Sequence, residues 1–283
     1  MPRSPHRPLL RYSADLLPLS IVLATTALGL APFFTRWPLP AIIAAWCLTL
    51  YGRTFCAFSQ HNHAHLPVFR AWLPNRIYDA LLAQNTAYPT ALWELHHNRG
   101  HHRNFLQPDA DVARVTYPGT RTPMPRFEYA LRGNLVIYRD AIRIGRAEGQ
   151  AGKPTLLPKL FFELALQLVI LGALLAWNAP LAVAFFVAPP LLTAFLVWWE
   201  SYPHHLGLPM TNVYDASMTV EAPGYNRVTF NIGHHTAHHE KPTLHWSLLP
   251  GRTQVIRARI HAACFRREHI TIAQRLLSSE EQT

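Results

Sequence analysis

The sequence carries 17 histidines, and most of them fall in four knots. HNHAH occupies residues 61–65, HHNRGHH residues 96–102, HH residues 204–205 and HHTAHH residues 234–239. Neutral imidazole is the commonest side-chain ligand for first-row transition ions, so clustering of this kind points to metal. Spacing sharpens the point, because residues four apart on a helix share a face. His61 and His65 are spaced so, as are His97 and His101, and His235 and His239. On an α-helix His102 and His238 sit about 100° further round and can reach a neighbouring site. With His205 these make nine candidate ligands: His61, His65, His97, His101, His102, His205, His235, His238 and His239. One ion is saturated by about four to six ligands, so nine imply two ions.

The other histidines read differently. His63 lies about 200° from His61 and is expected to support a ligand or face solvent. His96 and His234 duplicate better-spaced neighbours, His245 reads as a packing or hydrogen-bonding residue, and His6, His261 and His269 as surface residues. Metal-bound imidazoles commonly pass their second N–H to an oxygen acceptor. The candidates near the knots are Asp109, Asp111, Glu200 and Asn231, although turn formation and helix capping account for such residues equally well.

The elements that must carry these residues are apolar. Hydrophobic residues make up 49% of the chain and charged ones 15%, well under the share in soluble domains. Four stretches, 16–34, 39–58, 156–177 and 181–199, are long enough to span a hydrocarbon core, which takes about 20 helical residues. The first is read as a retained span and not as a cleaved signal segment. Short turns, TRWPLP and NAP, join them in pairs, so two hairpins open toward one side. Twelve Lys/Arg lie in 60–153, eight after Trp199 and three before Leu16, against Arg36 alone in the turns. A positive-inside bias therefore places both termini and every histidine knot in the cytoplasm, in segments 60–153 and 200–283.

The expected fold is all-α: an integral membrane protein of four transmembrane helices in two hairpins under a cytoplasmic helical cap, one domain over 1–283. The middle segment is expected to hold helices along the bilayer, with YPGTRTPMPR at 117–126 as a connector. The net charge of +10 is explained by membrane orientation, and a nucleic-acid partner is not expected. Cys47, Cys56 and Cys264 contain no C-x-x-C pair and support neither a disulfide framework nor a thiolate metal site. Trp46, Trp198 and Trp199 suit either a slot for an alkyl chain or lipid anchoring.

Read as H-x-x-x-H, H-x-x-x-H-H and H-x-x-H-H, the boxes HNHAH, HNRGHH and HHTAHH resemble those of the membrane fatty acid desaturase and hydroxylase superfamily. NIGHHTAHHEKPTLHWSLLP is similar to that family's last box, and His205 in HLGL to its further histidine. The order of spans and boxes agrees from about Leu16 to Pro250. HNRGHHRNFLQPDAD is also similar to the alkane hydroxylase branch.

The resemblance implies a non-haem diiron centre held by histidines, with dioxygen as co-substrate, in a bacterial-type inner membrane. It implies introduction of a double bond into a fatty acyl chain or related lipid, or alternatively hydroxylation of an alkyl chain or oxidation of a carotenoid-type ring. No nucleotide-binding glycine fingerprint or cysteine-ligated cluster is visible, so electrons must come from a separate donor such as a ferredoxin or rubredoxin with its reductase. A metal transporter or sensor is the rival of another class. It would need polar ligands near the bilayer midplane, but the spans carry little, Arg53 near the cytoplasmic end of the second and Glu163 and Gln167 in the third, and the histidines lie outside the apolar core. A closed structural zinc site uses four ligands and leaves most of the candidates idle.

Overall fold

The computed structural model describes residues 8–266, so His6 and His269 lie outside the described part. The chain forms two compact units that divide between Leu206 and Gly207. Among the described residues three helical runs are long and apolar enough to cross a membrane: Ser13–Phe34, Leu39–His65 and Leu157–His204.

In the first unit, α1 (Leu16–Phe34) packs along α2 (Leu39–His65). They approach so closely at Gly52 that a Cβ there would lie 2.2 Å from Thr25 Oγ1. Only glycine allows that approach. At 1.5 Å per residue α2 is about 40 Å long, roughly two turns more than a hydrocarbon core requires. Apolar length alone ends this span at 58, but the same helix continues unbroken through His61 and His65.

The third apolar run covers both stretches, 156–177 and 181–199, that the sequence separates. Helical geometry is nearly continuous over 48 residues, as α6 (Leu157–Ala182), a π-helical stretch Val183–Val187, α7 (Ala188–Ser201) and a 3-10 turn Tyr202–His204. Asn178 alone leaves helical geometry inside α6, at φ −156° and ψ 93°. A straight run of this length would extend about 70 Å. Instead Leu160, near its start, shares a hydrophobic cluster with Ala194 and Trp198 near its end. The run therefore doubles back, and the break lies in the Asn-Ala-Pro turn.

The second limb has its own local problem. Pro189 and Pro190 lack N–H groups, so the carbonyls of Ala184 and Phe185 lose helical partners. Two side chains of α2 replace them: Trp46 Nε1 donates to Ala184 O at 3.0 Å and Arg53 Nη2 donates to Phe185 O. An arginine with no exposed surface inside an apolar bundle is thus satisfied in part by backbone that proline has freed.

Around these limbs lie α3 (Trp72–Thr86), α4 (Thr90–Trp93) and α5 (Arg126–Gln150). The main core joins Leu92, Leu95, Tyr129, Ile137, Leu160 and Trp198. The 117–126 connector is a tight hairpin, with Tyr117 N–H on Thr122 O at 3.0 Å, Met124 N–H on Val115 O at 2.9 Å and Gly119 at φ +70°. Trp198 is 6% exposed and bonds the Tyr88 hydroxyl at 3.2 Å, while Trp199 lies under the Arg126 guanidinium at 4.4 Å. These two tryptophans therefore pack protein, whereas Trp177 is 54% exposed.

The second unit pairs two short parallel strands, β1 (Thr219–Val220) and β2 (Phe265–Arg266), with α8 (Pro223–Val228), α9 (His235–Glu240) and α10 (Leu249–Ile256). Ala237, Leu249, Ile256, Ile260 and Cys264 form its core.

Candidate metal centre

The last turns of α2 bring His61 and His65 to the second box. His61 Nε2 lies 2.9 Å from His97 Nε2, which lies 3.0 Å from His102 Nε2. With His65, all four residues place a ring nitrogen within 4.8 Å of the others. A single Nε2 carries one proton or one lone pair, so His97 cannot hydrogen-bond well to both neighbours. Two nitrogens each about 2.1 Å from one ion at right angles are about 3.0 Å apart, which is the spacing seen. The donor set therefore fits a shared transition ion.

The pairing differs from the one α-helical spacing predicts. Residues Glu94–His102 form a π-helix, in which hydrogen bonds run i→i+5. Residues five apart then align, so the His97 ring lies closer to that of His102, at 4.5 Å, than to that of His101, at 5.4 Å. The His101 ring lies 4.9 Å from that of His205 and 5.4 Å from that of His97. His101 and His205 form a second group of candidate ligands within 4.8 Å. Gly100 permits this packing, since a Cβ there would lie 2.6 Å from Val112 Cγ2.

Protons are placed to leave the convergent nitrogens bare. His61 Nδ1 lies 3.3 Å from Asn62 Oδ1, so the ring proton is held there and Nε2 faces His97. His101 Nδ1 lies 2.9 and 3.1 Å from the two oxygens of Asp111, which also accepts the Ala113 N–H at 2.8 Å. Burial pushes the Asp111 carboxyl up, but the adjacent His101 ring and these hydrogen bonds outweigh it and hold the group below its usual range. Burial first, and then the neighbouring His102, keep His97 well below the ordinary histidine value, which keeps a lone pair available at neutral pH. Asp111→Asn is expected to weaken metal retention or turnover by about 10–100-fold. A chelator titration of metal-loaded protein checks this, and unchanged retention would remove Asp111 from its orienting role.

His63 has a different task. Its Nδ1 accepts the Val68 N–H at 3.1 Å, so its proton sits on Nε2, 3.1 Å from Asp79 Oδ1. Asp79 also pairs with Arg76 at 2.7 Å and lies 4.0 Å from Lys159. Those cations reach Glu163 at 3.3 and 3.5 Å, and Lys159 bonds Glu94 at the start of the π-helix. This buried network ties α2, α3, α6 and the second box together. The HNH spacing hinted at a supporting role for His63, but Asp79 and Glu163 are distant in sequence and no local signal joins them. Asn98 adds a clamp by donating to Ala64 O at 2.8 Å, and the Trp93 ring lies 5.8 Å from His61 and 5.2 Å from His97.

In the second unit, His235 Nε2 and His239 Nε2 of α9 lie 3.2 Å apart, with the His238 ring 5.4 Å from that of His235. Thr219 Oγ1 donates to Thr236 Oγ1 at 2.9 Å, and Thr236 Oγ1 to Ser217 O at 2.8 Å, fixing α9 on β1. Phe230 and Asn231 both have positive φ, 49° and 63°. That conformation is uncommon outside glycine and is best tolerated by asparagine. Asn231 O accepts the His234 N–H at 3.0 Å and its side chain donates to Trp246 O at 3.2 Å.

Of the four candidate orienting residues, the structure brings Asp111 onto a histidine ring. The Asp109 side chain is 89% exposed, near Arg114 at 4.0 Å, and Glu200 lies 3.5 Å from Arg126. Asn231 shapes the turn before its box. His245 caps a 3-10 turn by bonding Ser247, and exposed His261 caps another through the Ala263 N–H. His96 is 3% exposed, with its ring 5.3 Å from Trp198.

No curated protein matches the chain. The family model for fatty acid desaturase matches residues 35–270, from the end of the first apolar helix through the last histidine box. Apolar helices, histidine clusters and this match over most of the sequence together establish that the chain belongs to the fatty acid desaturase family, and so to a family of oxidoreductases acting on lipids.

Proposed function

We propose that the protein is a dioxygen-dependent, non-haem diiron oxidoreductase that introduces a double bond into a fatty acyl chain or related lipid. The convergence of His61, His65, His97 and His102 nitrogens within 4.8 Å of one another supports the reading most directly. These four are the proposed ligands of one ion, and His101 and His205 are proposed ligands of a second. His235, His238 and His239 are proposed as further ligands on the strength of their box.

When bound, the iron pair would supply activation of dioxygen and removal of hydrogen from an unactivated C–H bond. The chain's own residues do the rest. Asn62 and Asp111 hold ring protons away from the ligating nitrogens, and the Asp79 network keeps the end of α2 in place. The apolar limbs exclude water and admit an alkyl chain from lipid. We place the two limbs of the third run as separate spans, making four in two hairpins. The boxes and termini are placed on the cytoplasmic face of a bacterial-type inner membrane. Electrons are supplied by an external carrier such as a ferredoxin or rubredoxin with its reductase, attracted by the basic surface.

The test is expression with a ferredoxin system and mass spectrometry of the lipid extract, beside a His101→Ala strain. A lipid two hydrogens lighter, absent from the variant strain, is expected, with about two iron ions per purified chain. A product one oxygen heavier would move the reaction to hydroxylation. Stoichiometric zinc without iron-dependent products would sink the enzyme reading.

A further inference from the structure

Between α5 and the loop at 109–118 lies a cavity of about 120 Å³ whose walls include Arg114, Arg132, Arg139, Arg143, Asp140 and Trp198. Its acids are already engaged. Asp140 lies 3.2 Å from Arg139 and 3.7 Å from Arg143, Asp109 is turned out beside Arg114, and Asp111 is committed to His101 and the Ala113 N–H. Arg132 is half-buried, its guanidinium lies 4.0 Å from the Met124 sulfur, and among the described residues no carboxylate stands within 4.0 Å of it. A half-buried guanidinium without an anion, beside three others in a concave site, suits a phosphate, which arginine can grip through two N–H groups at once.

The next face of the same helix says what carries that phosphate. Counting 100° per residue, Phe127, Leu131 and Leu135 fall within an arc of about 80°. They are 63%, 47% and 74% exposed. Arg132, Arg139 and Arg143 follow at about 120–160° from Phe127, and the core side of the helix lies beyond them. An exposed apolar stripe bordered by a row of arginines is the pattern of a helix lying in the bilayer interface, acyl chains on one side and head groups on the other. We propose that this cavity is a binding site for an anionic phospholipid, with the lipid phosphate held by Arg132 and Arg143 and an acyl chain along Phe127, Leu131 and Leu135. The site rests on the membrane placement of the helical unit and is independent of the reaction proposed above.

The test uses the iron-loaded full chain in neutral detergent, titrated in native mass spectrometry with three probes: dihexanoyl phosphatidic acid, dihexanoyl phosphatidylcholine and inorganic phosphate. Phosphatidic acid is expected to bind at least ~10-fold tighter than the choline lipid, because its phosphate monoester carries up to two negative charges and a further free oxygen, whereas the choline diester carries one charge offset by its own ammonium, and one more charge-assisted hydrogen bond is worth that much or more. Arg132→Ala should remove about 10-fold of that affinity and Arg132→Lys less. Leu135→Ser should weaken phosphatidic acid binding while leaving that of inorganic phosphate unchanged. Equal binding of the two lipids, or wild-type affinity in an Arg132→Ala protein of normal iron content, would overturn the site. Inorganic phosphate binding as tightly as phosphatidic acid, with no effect of Leu135→Ser, would overturn a lipid as its occupant. None of these results bears on iron content or product, so the site and the proposed reaction fail separately.

Discussion

Replacing His97 with alanine is expected to strip iron and turnover from the protein while its helices stay folded. His97 Nε2 stands between His61 Nε2 at 2.9 Å and His102 Nε2 at 3.0 Å, so its loss removes the central donor of one group. Neighbouring rings are committed elsewhere: His101 is held by Asp111 against His205, and His96 packs against Trp198. Disturbing a group that merely orients a ligand costs about 10–100-fold, so removing the ligand itself should cost more than about 100-fold in turnover. Iron should fall from about two per chain to about one or fewer. Elemental analysis and product assay of the same preparation check this. Were these rings only packed histidines, the variant would keep its iron, and that result would dissolve the proposed centre.

Asp79→Ala should damage stability first and activity only through it. The carboxylate is 1% exposed and faces His63, Arg76 and Lys159. Removing one partner of a buried ion pair typically costs 3–5 kcal/mol. Arg76 and Lys159 keep Glu163 as a partner, so the lower end, about 3 kcal/mol, is expected here. The buried N–H of His63 loses its acceptor, and the last turn of α2, which carries His61 and His65, loosens with it. The pH dependence has a definite sign. Burial raises the Asp79 carboxyl, but the His63 hydrogen bond and the charges of Lys159 and Arg76 prevail, and it titrates below its ordinary value. Its contribution is therefore full above about pH 4 and lost as the pH falls through its lowered value. Unfolding in detergent should show the variant's deficit at neutral pH, shrinking in acid. An unchanged unfolding midpoint at pH 7 would exclude the supporting role.

Side-chain type and spacing along the chain were enough to mark the four histidine knots, the apolar stretches and the tight turns that reverse them. These are local properties: hydrophobic length sets what can lie in lipid, and the Asn-Ala-Pro turn marked by its residues is where the third run breaks, near Asn178. Which imidazoles meet was decided by tertiary structure. The i, i+4 rule holds for an α-helix, and nothing in the letters HHNRGHH announces the i→i+5 register that pairs His97 with His102 and sends His101 to His205. Likewise Asp109 and Asp111 are equally acidic and two residues apart, yet only the path of the loop puts one in solvent and the other against a ring. The partners of His63, Trp46 and Arg53 lie 16, 138 and 132 residues away. Spacing fixes what one element can present, whereas contacts at such separations exist only once packing has chosen the helix register and closed the chain on itself.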